Sequence, residues 1–85
     1  MNGTIARRAQ LRNLAQHMTN ARLAMAEQAV EREAAIRRDG VAHPRTIRAS
    51  RRLTQTQIAY RSLLEQHRAR SHEVARSERA AGRGI

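Results

Sequence analysis

The sequence contains no cysteine, lysine, tryptophan or phenylalanine, and Tyr60 is its only aromatic residue. Without cysteine there is no disulfide framework, no thiol nucleophile and no thiolate-bound zinc. Without interleaved aromatics, stacking of bases on ring faces is excluded as a mode of single-strand binding. Long apolar runs are missing too. The longest is four residues, Leu23 to Ala26, far short of a membrane span or a signal-peptide core. The expectation is a soluble, cytoplasmic protein that does not enter membranes. Trp or Phe anchors for lying on an anionic bilayer are also lacking.

Catalytic groupings are equally scarce. No carboxylate pair falls on one helical stripe, and there is no Ser/His/Asp constellation and no glycine-rich phosphate loop. The four histidines, His17, His43, His67 and His72, do not carry metal-ligand spacing: His67 and His72 are five apart and point to different helix faces. His17 and His67 fall at similar levels of the arrangement described below, where a hydrogen-bonded polar layer is the expected role. The sequence therefore predicts no catalytic residue, no metal, no cofactor and no small-molecule substrate.

What is present is positive charge. All 17 basic residues are arginine against seven acidic ones, giving a net charge of +10 and a pI near 12.0. A GC-rich genome would also replace lysine by arginine, so the choice of cation is ambiguous. The net charge is less so: it points to nucleic acid or an acidic protein surface as partner. Guanidinium groups bind phosphate bidentately.

The chain carries Asp-Gly and Pro close together at one place only, the stretch RRDGVAHPR (Arg37 to Arg45). From Thr4 to Arg38 there is no Gly or Pro, and the residues are mostly good helix formers. Thr4 is a candidate N-cap. Gly40 suits a left-handed C-terminal cap and Pro44 the first turn of a second helix. The sequence thus predicts one small helical domain: a first helix over about 4–38, a bend at 39–44, a second helix over about 45–77 and a frayed tail at 78–85.

At 100° per residue the first helix places Leu11, Leu14, Met18, Ala21, Met25, Ala29 and Ile36 on one stripe. The second places Ala49, Leu53, Tyr60, Leu64, Ser71 and Val74 on another, bordered by Gln57 and His67. Folded back antiparallel with facing positions adding to 85, the stripes meet as Leu11 with Val74, Leu14 with Ser71, Met18 with His67, Ala21 with Leu64, Met25 with Tyr60, Gln28 with Gln57, Arg32 with Leu53 and Ile36 with Ala49. The fold class is all-α, an antiparallel two-helix hairpin resembling a coiled coil. The alternative is a break at Thr19-Asn20 that makes three helices.

Leu23, Val30, Ile47 and Ile58 lie off these stripes. With so little aromatic mass a lone hairpin buries little, so these residues mark a partner or oligomer interface. Dimerisation into a four-helix bundle would complete the core. The acidic patch EQAVERE (Glu27 to Glu33), with Glu33 four residues before Arg37, could dock on arginines of a second copy.

The strongest functional constellation is Arg45, Arg48, Arg51 and Arg52. Cations at a helix start oppose the macrodipole, and a helix N-terminus with added arginine suits phosphate. Arg61 and Arg68, a heptad apart, extend the candidate set along the second helix, with Glu65 between them. The function expected is non-enzymatic binding of nucleic-acid phosphates with little sequence readout. The alternative is a helical-hairpin adaptor, chaperone or inhibitor, phage-encoded or part of a secretion or conjugation assembly, that docks on an acidic surface of a larger complex.

Overall fold

A computed structural model describes residues 2–83. They form two helices, α1 (Asn2–Asp39) and α2 (Pro44–Arg83), packed against each other in antiparallel fashion. The rod measures 65 × 14 × 13 Å, the length expected of a 40-residue helix rising about 1.5 Å per residue.

The bend is built as its residues dictate. Gly40 adopts φ 86°, a left-handed conformation that costs a residue with a Cβ roughly 1–2 kcal/mol. Its N–H donates to the Ile36 carbonyl at 2.9 Å, closing α1 with an αL cap. The turn is then locked from the other side. Thr46, 2% exposed, donates its hydroxyl to the Gly40 carbonyl at 2.6 Å. His43 caps α2: its carbonyl accepts from the Ile47 N–H at 3.0 Å and its Nδ1 from the Arg45 N–H at 3.1 Å. Pro44 fills the first helical position, where no N–H is needed.

α1 runs unbroken through Thr19-Asn20, so the three-helix alternative is not adopted. Thr19 donates back to the Ala15 carbonyl at 3.1 Å, and Asn20 accepts from Gln16 at 3.1 Å. Both side chains are engaged along the existing helix instead of capping a new one.

Four contacts between side chains set the register. Arg7 meets Ser77 and Arg8 meets Glu78; Arg32 Nε donates to Ser50 Oγ at 3.0 Å, and Arg52 pairs with Glu31 at 3.6 Å. Their positions add to between 82 and 86, bracketing the constant-sum alignment. The helices also extend further than composition suggests. α2 continues to Arg83 in place of fraying after Ser77, because Ser77 and Glu78 are tied to α1. The side chain of Thr4, the expected cap of α1, lies outside the described residues, as do positions 84 and 85 of the tail.

The composition of the seam differs from the straight-helix stripe. Partly or fully buried positions of α1 step by four and three: Leu11, Leu14, Met18, Ala21, Met25, Gln28, Arg32, Ala35. In α2 the residues expected on the stripe, Ala49, Leu53, Tyr60, Leu64, Ser71 and Val74, are all partly or fully buried, joined by Thr46, Thr56, Leu63 and His67. The seven-residue repeat of α1 from Leu11 to Ala35 is the signature of left-handed supercoiling. A straight helix drifts about 20° per heptad from that repeat, which carried the expected stripe onto the wrong residues past Met25. Ala29 is exposed while Gln28 is inside, and Ala35 is buried at 4% where Ile36 is only half-buried. The expected Gln28–Gln57 layer does not form. Gln57 is exposed, and Gln28 Oε1 is buried without a hydrogen-bond partner.

The core is thin. Among the described residues, the buried apolar side chains are Met18, Ala35 and Val74. The accessible surface is 6598 Å², against about 5,100 Å² for a compact 9.6 kDa monomer.

Candidate nucleic-acid interface

In a heptad-paired hairpin each helix has a seam, two flanks beside it and an outer side facing away. This geometry sorts the arginines. On one flank, near the bend, Arg38, Arg45, Arg48 and Arg52 line a cleft of about 360 Å³, together with Glu31 and the small side chains of Ala34, Ala35 and Ala49. Arg38 comes from α1 and the other three from α2. The floor is apolar and shallow because alanine fills it, so the guanidinium groups form its rim.

Three of the four arginines nominated at the start of α2 are therefore brought together, and one is not. Arg51 sits on a different side, against a cavity of about 330 Å³ shared with Val41, Ile47, Ser50, Thr54 and Gln55. Arg38 replaces it. Sequence reasoning missed Arg38 because its membership depends on register: it lies in the last turn of α1, seven positions before Arg45. Arg61 and Arg68 fall on the opposite flank of α2 from Arg48, about 20 Å or more along the axis at about 1.5 Å per residue. They do not join the cleft.

The electrostatics of the cleft are one-sided. Glu31 is its single carboxylate, paired with Arg52 at 3.6 Å, and both side chains are more than half exposed. Such a pair contributes little, typically 0.2–1 kcal/mol. Arg38 contacts Asp39, its chain neighbour, at 3.3 Å. Among the described residues neither Arg45 nor Arg48 has an ion-pair partner within 4.0 Å.

The helix N-terminus contributes less than a free helix start would. Pro44 has no N–H and that of Arg45 is taken by His43. The negative end of α1 also lies beside the positive end of α2, so the two macrodipoles oppose each other at the bend. That proximity lowers the cost of placing Arg45, Arg48 and Arg52 there. Arg37 and Arg38 in the last turn of α1 are in the favourable sense for its dipole.

Elsewhere the ion pairs are local or bind the open end. Arg8 meets Glu78 across the helices, Arg70 meets Glu73 at 3.3 Å, and Glu33 pairs with Arg32 at 3.7 Å in place of Arg37. Glu65, between Arg61 and Arg68, has no ion-pair partner among the described residues. His17 lines a separate cavity with Gln10, Asn13, Leu14, Gln66 and Arg70. Among the described residues no group of three or more metal-ligating side chains comes together. No described helix is long and apolar enough to cross a membrane.

The aliphatic residues nominated as an interface are exposed but not contiguous. Leu23 and Val30, 61% and 67% exposed, lie on the outer side of α1; Ile58, 61% exposed, lies on the outer side of α2. These two sides face away from each other. Ile47 belongs to the cavity with Val41 near the bend.

Comparison with protein-family models, with curated proteins and with solved structures finds no match to this chain. The functional reading therefore rests on the residues and their geometry.

Proposed function

We propose that this is a non-enzymatic nucleic-acid-binding protein that grips backbone phosphates with arginine and reads little sequence. The observation that carries the reading is the cleft at the bend: four arginines from two helices converge on one rim with one exposed carboxylate among them. Arginine forks match phosphate oxygens, and a chain of net charge +10 draws polyanions from a distance. Arg61 and Arg68 on the opposite flank offer further contacts to a strand that wraps the rod. Few side chains near the cleft suit base edges, so affinity comes from phosphate contacts.

Binding of labelled duplex DNA and of RNA hairpins at about 50 mM salt tests this directly, since a protein of this charge binds nucleic acid even non-specifically under those conditions. Replacing Arg38, Arg45, Arg48 and Arg52 by Gln should weaken binding on all sequences alike. Absence of binding by the unaltered protein removes the reading.

The second reading is a helical-hairpin adaptor on an acidic protein surface. Exposed Leu23 and Val30 favour it, because phosphate binding makes no use of them. Under that reading Leu23→Asp abolishes partner capture and nuclease treatment leaves it intact. Self-association belongs to the same proposal: the surface excess of about 1,500 Å² over a compact monomer is about twice the roughly 800 Å² that each partner buries in a standard interface. Sedimentation at micromolar concentration should show a dimer or larger species.

A further inference from the structure

Two pairs of charged residues that face each other across the seam are of opposite sign. Arg8 faces Glu78 near the open end, and Glu31 faces Arg52 at 3.6 Å. One heptad nearer the bend, the same pair of flank positions is occupied by Arg38 and Arg45, both lining the cleft. Two cations there repel, whereas the heptad before it attracts. Arg48 adds a third positive group and, like Arg45, has no ion-pair partner among the described residues. The alanine floor leaves about 360 Å³ between them, many times the roughly 30 Å³ share of one water and room for a diphosphate.

We propose that this cleft is an oxyanion site that takes a phosphate group between Arg38 of α1 and Arg45, Arg48 and Arg52 of α2, so that phosphate binding and closure of the hairpin are one equilibrium. The inference rests on the phosphate-binding reading and assigns one site its ligand and its consequence. An anion seated there turns the Arg38–Arg45 repulsion into two attractions. Because the rim is drawn from both helices, the site exists only when they are packed, and the ligand stabilises the packed state by mass action.

The experiment is thermal unfolding followed by circular dichroism, with inorganic pyrophosphate as probe and sodium chloride at matched ionic strength as reference. Pyrophosphate several-fold above its Kd should raise the Tm by about 4–8 °C over the chloride control. Arg38→Glu should be more stable than Arg37→Glu in low-salt, phosphate-free buffer, since both lose a cation at the negative end of α1 but only the former faces Arg45 with opposite charge, and it should lose the pyrophosphate response. Arg38→Gln should also lose most of the response without adding a carboxylate. Arg37→Glu makes the same charge change off the cleft and should keep the response. Equal stabilisation by pyrophosphate and chloride would overturn the proposal, as would identical behaviour of Arg37→Glu and Arg38→Glu. A pyrophosphate response that Arg38→Glu removes, in a protein that binds neither DNA nor RNA, upholds the cleft and removes the nucleic-acid reading. Nucleic-acid binding undiminished in Arg38→Glu, with no pyrophosphate response, does the reverse.

Discussion

The two ends of the rod meet the same packing problem by different means. At the open end nothing covalent holds α1 to α2, and the contacts there are attractive: Arg8 with Glu78, Arg7 with Ser77. At the other end the four residues Gly40 to His43 join the helices, and arginines from both crowd one cleft. A short connection keeps the helix ends at high effective concentration, so that end can hold like charges without coming apart. The open end has no such tether. Cations gather at the open end as well, where Arg7 and Arg76 share a cavity of about 450 Å³ with Glu73; what sets the bend apart is the tether that holds its arginines together.

If the bend is what permits the arginine cleft, damaging the bend should have the largest effect on stability. Thr46→Val removes the hydroxyl that satisfies the Gly40 carbonyl and should cost roughly 1–3 kcal/mol. Gly40→Ala meets no neighbour within 4 Å, so its expected cost of roughly 1–2 kcal/mol comes from φ alone. Denaturant melts check both, and raising the salt should recover part of either loss by screening the arginines. Unchanged midpoints would show that the connection does not carry the cleft.

The middle of the rod sharpens the comparison in the other sense. Gln28→Leu replaces a buried, unpartnered carbonyl oxygen by an apolar group at a heptad position and should stabilise the hairpin by about 1 kcal/mol. A loss of stability would mean that Gln28 has a partner in solution, as a second copy of the chain could provide. The smallest effect is expected at the open end. Glu78→Gln breaks an exposed ion pair and should cost only about 0.2–1 kcal/mol, falling toward zero in high salt. A cost matching that of Thr46→Val would make the two ends equivalent.

Much of the hairpin was legible in the sequence for a physical reason: Gly40 is free to adopt the left-handed cap that stops α1, and the ring of Pro44 fixes the φ that starts α2. The constant-sum alignment also placed facing levels near those of the Arg32–Ser50 and Glu31–Arg52 contacts. Gln28 was placed at the seam but with the wrong partner, since Gln57 is exposed, and Ala35 was not legible, because a straight-helix period drifts off a supercoiled seam by the fourth heptad. Thr46 was missed because its burial serves one hydrogen bond across the bend, which no periodicity reports. At the site, Arg45, Arg48 and Arg52 stood out as a run of cations. Arg38 became visible only once the helices were aligned, and Arg51, adjacent in sequence to Arg52, turned out to face elsewhere. Residue spacing along a helix gives the direction of a side chain; which side chains share a ligand depends on the partner helix.

The most direct test of the central claim is the salt dependence of nucleic-acid affinity. Each phosphate contact on duplex DNA contributes a slope of about −0.9 in log K against log salt. The Arg38/Arg45/Arg48/Arg52→Gln variant should therefore bind with a slope flatter by about two to four units than the parent, while Arg51→Gln, pointing away from the cleft, should change it by less than one. A parent and quadruple variant with the same slope would contradict the account.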